Sequence, residues 1–309
     1  MPRPDFPRTF PEFVLRFPDD DACWAYLVQS RWPDGVTCAE GKAAWFEPGR
    51  KLFECPDGHQ WSATSGTVMH RSKVPLHFWF WGAYLVTTLT PGISAKQFAK
   101  QLGLTRYETA YMLLQKLRAG MVNPERGRIG GGRKTVEVDE AFITGGRKAE
   151  QRKGVLQPIL AAVEVRDGTA GRLRITLSPT KATKDILPFL RRAVEPGTTV
   201  ITDGNPAYNR IVRYGYHHAV EEVDVEYRLP VVHRVFSNLK TWILGTHHGA
   251  IMHKHLQAYL NEFVFRFNRR HTPMAAFQTV LGIGTHVPGP TYAGIYKGTW
   301  HHPNRARVR

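Results

Sequence analysis

Two β-branched runs in this chain, Thr135-Val-Glu-Val-Asp139 and Thr199-Val-Ile-Thr-Asp203, each close on an aspartate. Val and Thr favour strands, because branched side chains pack well on a pleated surface and lose freedom in a helix. A carboxylate ending such a run is held rigidly, and two brought together offer oxygen ligands to a hard divalent cation. The runs sit in a longer pattern. Strands are expected over Thr135–Ile143, Val155–Val165, Leu173–Leu177 and Thr198–Thr202, with helices over 182–194, 205–213, about 233–245 and 253–269. Three consecutive strands followed by alternating helix, strand and helix predict an α/β domain built on a mixed sheet.

The residues before this region read differently. Arg126-Gly-Arg-Ile-Gly-Gly-Gly132 is the clearest linker in the chain. Residues 1–70, rich in Pro, Gly, Trp and Cys, suggest a small irregular β-rich module. From Pro75, Phe78, Trp79, Trp81, Tyr84, Leu85 and Leu89 recur at helical spacing until Pro91-Gly92. Ser94 is expected to cap a helix from Ala95 to Leu102, and Thr105 one from Arg106 to Arg118. Around Gly103, the residues Phe98, Leu102, Leu104, Ala110, Leu113 and Leu117 would form the shared core of a helix-turn-helix. Its second helix would present Arg106, Tyr107, Glu108 and Thr109 to a DNA groove. The organisation expected is a module at 1–72, a helical region at 73–125, a linker at 126–133, the α/β domain at 134–281 and a basic flexible tail at 282–309.

The 309 residues carry 42 Lys+Arg against 26 Asp+Glu, a net charge of +16 that favours a polyanionic partner. A membrane is a poor fit: the most apolar stretch, Leu76 to Leu89, follows a proline and falls short of the roughly 18 residues a spanning helix needs. The start, Met1-Pro-Arg-Pro-Asp5, lacks the apolar core of a signal peptide, so a cytoplasmic location is expected.

Three cysteines, Cys23, Cys38 and Cys55, are an odd number for an intracellular chain and argue against a disulfide framework. Cys38-Ala-Glu-Gly41 and Cys55-Pro-Asp-Gly58 each look like half a zinc knuckle with Gly where the second thiol belongs. His59 could add a nitrogen and Cys23 a distant sulfur. An incomplete ligand set binds poorly, so small buried thiols are the first expectation and residual Zn²⁺ at Cys38, Cys55 and His59 the alternative.

A third ligand for the aspartates is sought on a later helix. His233-Arg-Val-Phe-Ser-Asn-Leu-Lys240 places His233 and Lys240 within about 20° of each other around a helix, while Asn238 points about 140° away from His233. His233 could ligate a metal while Lys240 holds a phosphate beside it, although a surface histidine is an equal reading in a chain with 14 of them. Glu262 is the reserve, more often structural at such a place. Glu140 should point to the sheet face opposite Asp139 and pair with a basic residue. Arg147, Lys148, Arg152 and Lys153 form a basic run that could track a DNA backbone or remain a solvated loop.

The motifs Val-Asp139-Glu-Ala-Phe-Ile-Thr-Gly-Gly, Thr-Asp203-Gly-Asn-Pro-Ala-Tyr and His233-Arg-Val-Phe-Ser-Asn-Leu-Lys240, in that order, resemble the ISXO-like insertion-sequence transposases of the DDE superfamily. Leu256-Gln-Ala-Tyr-Leu-Asn-Glu-Phe-Val-Phe-Arg-Phe-Asn-Arg-Arg270 is similar to their C-terminal helix. Arg31-Trp-Pro-Asp-Gly-Val-Thr-Cys38 and Ser65-Gly-Thr-Val-Met-His70 are similar to their N-terminal ribbon module. The resemblance implies a prokaryotic enzyme with a ribonuclease H-like catalytic fold, preceded by a degenerate zinc-ribbon-like module and a helix-turn-helix. It would cleave element ends and join their 3′-hydroxyls to target DNA, as a homo-oligomer on DNA. Asp139, Asp203 and His233 would hold two Mg²⁺ (or Mn²⁺) ions, Asp139 bridging them, and Lys240 would be the basic residue two turns on. Most such enzymes have Glu at the third position, and His marks a subgroup. A neutral imidazole there should weaken Mg²⁺ and relatively favour Mn²⁺. Two other readings stay open: a transposase-derived DNA-binding protein without catalysis, and a ribonuclease H-like nuclease that cleaves without joining.

Overall fold

The computed structural model describes residues 5–38, 40–123, 126–132, 134–144, 156–220, 229–249 and 251–300. The chain divides into two compact units, Met1–Asn123 together with His271–Arg309, and Pro124–Arg270.

The first unit opens on two helices, α1 (Phe10–Arg16) and α2 (Asp20–Arg31), where only irregular β structure is expected from composition. Their start signals are local. Thr9 Oγ1 accepts the Glu12 N–H and Asp19 Oδ1 accepts the Ala22 N–H, satisfying amides that a helix start leaves unpaired. Strands β1 (Trp45–Glu47), β2 (Leu52–Glu54) and β3 (Gln60–Ser62) follow as an antiparallel sheet in that order.

Both half-knuckles form tight turns closed by a backbone hydrogen bond. The Gly41 N–H donates to Cys38 O and the Gly58 N–H to Cys55 O, each at 2.9 Å. The two glycines have φ of 76° and 81°, a region L-residues with side chains rarely adopt. Cys38 and Cys55 are joined to each other as a disulfide, with Cα atoms 5.9 Å apart. This corrects both cysteine expectations: a disulfide is present, and the two sulfurs are spent on each other instead of being thiolates for zinc. His59 stacks on Trp61 at 5.5 Å between centroids. Burial, with Asp20 and Asp19 nearby, pushes the Cys23 thiol up to about 12, which leaves it a core residue.

Helix α3 (Leu76–Thr88) buries Trp79, Phe80, Ala83, Val86 and Thr87, a stripe at helical spacing. A Cβ on its Gly82 would come within 2.9 Å of both Leu113 and Phe98, so glycine is what allows that approach. Ser94 caps α4 (Ala95–Gln101) as expected, its hydroxyl accepting the Gln97 N–H. Helix α5 (Tyr107–Ala119) starts after Arg106 without a side-chain cap, so Thr105 does not have the role expected of it. The hairpin α4–α5 buries Phe98, Ala110, Leu113 and Leu117 and exposes Arg106, Tyr107 and Glu108.

The second unit begins with β4 (Ile129–Gly130), then β5 (Thr135–Thr144), β6 (Leu156–Arg166), β7 (Thr169–Leu177), α6 (Thr183–Ala193), β8 (Val194–Glu195), β9 (Thr199–Thr202) and β10 (His217–Val220). Five of the strands form a mixed sheet in the order β10-β9-β5-β6-β7. β10 is parallel to β9 and β9 to β5, whereas β5, β6 and β7 are antiparallel neighbours. β4 and β8 make a separate parallel pair. The helix expected over 205–213 is two 3₁₀ turns, Pro206–Tyr208 and Ile211–Tyr214, stopped by Gly215 at φ 84°. Helices α7 (Pro230–His247) and α8 (His253–Phe267) complete the unit.

Period-two alternation gives the sheet two apolar faces. Val136, Val138, Leu160 and Ala162 pack with Ile186, Phe189 and Leu190 of α6 and with Tyr208 and Ile211. Ala141, Ile159, Ala161, Val163 and Leu173 pack with Val232, Val235, Phe236 and Leu239 of α7 and Leu256, Leu260 and Val264 of α8.

After α8 the chain rejoins the first unit through α9 (Pro273–Gly284) and α10 (Tyr292–Lys297). Phe277 of α9 lies against Phe13 at 5.6 Å and Phe80 at 6.0 Å between ring centroids. The expected catalytic boundary at 281 therefore moves back to Arg270, because the aromatic partners of Phe277 are N-terminal. Tyr292–Lys297 is a helix where a basic tail is expected, and 301–309 lie outside the described residues.

Candidate metal-binding active site

β9 runs beside β5 only from Thr135 to Glu137. Asp203, the first residue past β9, therefore falls beside the middle of β5, which continues to Thr144. Here the expectation needs correcting: Asp139 is in mid-strand, and it is the neighbouring strand that ends. One carboxylate oxygen from each of Asp139, Glu140 and Asp203 lies within 4.8 Å of the other two. Glu140 leaves β5 on the face opposite Asp139, as expected, but it belongs to this cluster.

Each carboxylate is held. Asp203 Oδ1 accepts the Asn205 N–H at 3.1 Å, and Asn205 Oδ1 accepts the Ala207 N–H at 3.0 Å, fixing the turn after β9. Asp139, only 8% exposed, accepts the Glu140 N–H at 2.7 Å on Oδ1 and faces His233 Nε2 at 3.0 Å with Oδ2. Burial raises the Asp139 pKa, the Glu140 N–H and His233 draw it down, and the charge of Asp203 adds to the rise. Glu140 is pushed up to about 7 by burial and by Asp139, against the pull of Lys181. Lys181 itself sits over the Phe142 ring, 4.4 Å from its centroid. Like charges this close repel by about 3–4 kcal/mol per pair at a surface-like dielectric. A proton or a cation among them relieves that repulsion.

His233 owes its place to a residue that the sequence reading passed over. Leu229, at φ 53°, precedes α7, and the Val232 N–H in its first turn donates to Glu137 Oε2 at 2.7 Å. Glu137 is 4% exposed and lies two residues before Asp139 on the same face, so it ties the start of α7 to β5. The period-two pairing of Glu137 with Asp139 was the available signal. The His233 side chain is 55% exposed and meets Asp139 without joining the three-carboxylate group. Lys240 is exposed seven residues along α7, and Asn238 is exposed too. Glu262 is fully buried in α8, 3.8 Å from Arg266 Nη1, which makes it a core ion pair. Arg147, Lys148, Arg152 and Lys153 lie outside the described residues.

The donor set fits a divalent ion. Three carboxylates, two of them buried and Asp203 the most exposed, provide hard oxygen ligands of the kind Mg²⁺ and Mn²⁺ take.

Residues 130–268 match the family model of the ISXO2-like transposase domain. Among solved structures, the chain is similar to the simian T-cell lymphotropic virus intasome in complex with PP2A regulatory subunit B56 gamma, determined by cryo-EM. Identity is 15%, coverage 53% of this chain and 62% of that chain, and the TM-score 0.31. It is also similar to the catalytic core domain of BIV integrase, at 15% identity over 48% of this chain and 82% of that chain, with a TM-score of 0.27. A comparison with curated proteins finds no match. The matched segment runs from β4 to the end of α8 and contains the mixed sheet with Asp139, Asp203, His233 and Lys240. Residues 130–268, within the second unit, thus match a DDE-type transposase domain, of a phosphoryl-transfer enzyme family, and fold as a mixed α/β domain.

Proposed function

We propose that the protein is a DNA transposase that cleaves insertion-sequence ends and joins the freed 3′-hydroxyls to target DNA. The observation that carries this reading is the convergence of Asp139 and Asp203 beyond the end of β9, inside the segment matched by the transposase domain. Asp139 and Asp203 are the residues that would hold Mg²⁺ or Mn²⁺, with His233 adding a nitrogen beside Asp139. When bound, such ions polarise a phosphoryl oxygen and stabilise charge that develops during in-line displacement.

The chain's own side chains do the rest. Glu137 holds α7 so that His233 stays on Asp139. The Asn205 turn keeps Asp203 in place. Lys240, exposed about 10 Å along the helix from His233, is placed to take a backbone phosphate of the substrate. Arg106 and Tyr107, exposed at the start of α5, support a DNA-reading role for the α4–α5 hairpin. The net charge of +16 supplies the long-range attraction to DNA. Synapsis of two element ends calls for at least two copies of the chain.

The test is to incubate the full chain with labelled terminal-repeat DNA, a target plasmid and Mg²⁺ or Mn²⁺. Joined product is expected. Cleavage without joining identifies a nuclease instead, and binding without cleavage a DNA-binding derivative.

A further inference from the structure

β9 ends at Thr202 and Asp203 follows on a turn, so whatever holds that turn sets where the carboxylate stands. Thr202 is fully buried. Beside it runs the edge strand β10, parallel to β9, with His218 opposite Val200 and Val220 opposite Thr202. Residues two apart on a strand share a face, and so do residues paired across neighbouring strands. Val200, Thr202 and His218 therefore lie together on the face of α6 and the 3₁₀ turns. There the His218 ring sits 6.5 Å from the Tyr208 ring between centroids, and its Nε2 meets Thr202 Oγ1 at 2.9 Å. The same hydroxyl accepts the Gly204 N–H at 3.4 Å, bridging over Asp203, whose Oδ1 accepts the next amide, that of Asn205. β10 also backs the turn through Val220: Gly204 has φ 84°, and a Cβ there would stand 3.0 Å from Val220 Cγ1. A buried hydroxyl must be desolvated, so a bonded Thr–His pair adds little net stability over an apolar pair of the same shape. What the pair does add is direction, at the residue immediately before Asp203.

We propose that His218 is a positioning residue for strand joining: through the Thr202 hydroxyl it fixes the turn that presents Asp203 to the ion site. This rests on Asp203 being one of the carboxylates that hold the divalent ion. Groups that orient a metal-holding side chain from behind tune the site almost as strongly as the ligands themselves. Burial holds the His218 pKa below its ordinary value, so at pH 7 the ring is neutral and acts as a hydrogen-bonding partner.

The experiment compares Thr202→Val, which removes the hydroxyl at nearly constant shape, with His218→Ala, which removes its partner, both in the full chain. Each should lower Mn²⁺ affinity and kcat for joining by about 10–100-fold, with KM for terminal-repeat DNA unchanged. Without any metal, amide hydrogen exchange at Gly204 and Asn205 should quicken in both. Thr202→Ser keeps the hydroxyl, and His218→Gln can place an amide nitrogen where Nε2 stands, so both should recover most of the loss. The double variant should be no worse than the worse single one, because the two side chains act as one contact. Wild-type Mn²⁺ affinity and joining in Thr202→Val and His218→Ala, alongside loss in Asp203→Asn, overturns the role of His218 and leaves the ion site standing. Losses that Thr202→Ser and His218→Gln do not repair, or exchange that quickens evenly across the sheet, reduce the pair to a fold contact and overturn the proposal too. Wild-type Mn²⁺ binding and joining by Asp203→Asn removes the ion site and the proposal with it.

Discussion

Asp139 touches more of the site than any other residue: the Glu140 amide, the His233 ring, and the carboxylates of Glu140 and Asp203. Asp139→Asn keeps the shape and removes the charge, so strand joining should fall on the order of a thousandfold, equivalent to about 4 kcal/mol of barrier. Binding to terminal-repeat DNA in a gel shift should stay within a few-fold of the wild type. Full joining by this variant would remove Asp139 from the chemistry. His233→Ala should be nearly as damaging, whereas Asn238→Ala should be mild, since Asn238 is exposed away from the cluster. Glu137 acts at one remove. Glu137→Ala leaves the Val232 amide at the start of α7 without its acceptor and should cost about 1–3 kcal/mol of stability together with a loss of joining. Glu137→Gln retains an acceptor, so thermal melting should show most of that stability restored.

Individual elements depend on polar pins that hydrophobic periodicity does not reveal. Glu164 on β6 is buried and accepts from Arg172 Nε at 2.9 Å, Gly130 N at 2.9 Å and Arg166 Nη2 at 2.6 Å, tying β4 and β7 to β6. Burial alone would raise its pKa, but these donors outweigh burial and hold it down to about 2. A carboxylate depressed in the fold stabilises above its ordinary pKa of about 4.5 and loses that contribution as pH falls towards 2. Melting of the wild type should therefore drop by about 2–3 kcal/mol across that window, allowing for the partly exposed arginines. Glu164→Gln should be less stable at pH 7 and show a flatter acid limb; an unchanged slope would remove Glu164 as the source. In the first unit, the Cys38–Cys55 bond closes a loop of sequence separation 17, worth about 3 kcal/mol by chain entropy. Reductant or Cys38→Ser should lower the melting of the first unit by about that much, and added zinc should not restore it.

For the whole molecule, the excess of 42 Lys+Arg over 26 Asp+Glu sets how binding responds to salt. If the chain covers six to ten phosphates, DNA affinity should fall by about 10³–10⁵ between 50 and 200 mM salt. A flat salt response would argue against the basic surface as the DNA contact. No helix among the described residues is long and apolar enough to cross a membrane. The first unit is assembled from both ends of the chain. Removing the side chain of Phe277 should cost about 3–5 kcal/mol in the first unit's melting, because the rings of Phe13 and Phe80 lose their partner.

Much of this was legible in the residues. Strands at 135, 156 and 199 and helices at 183 and 253 begin within one residue of where their periodicity puts them, because alternation and helical spacing are local consequences of burying one face. Asp139, Asp203 and His233 could be named from their positions on those elements. Short pieces without a period were not legible: the four-residue β10, the 3₁₀ turns at 206 and 211, and α1 and α2, whose caps at Thr9 and Asp19 went unread. Other features belong to tertiary structure alone. Cys38 meets Cys55 because two turns face each other, and Phe277 joins a core more than 190 residues upstream of it. Local pattern determines which face of β5 Asp139 and Glu140 occupy, since adjacent residues on a strand point apart. Only the register of β9 decided that both reach Asp203, because a strand that ends early lets side chains from opposite faces meet around its tip.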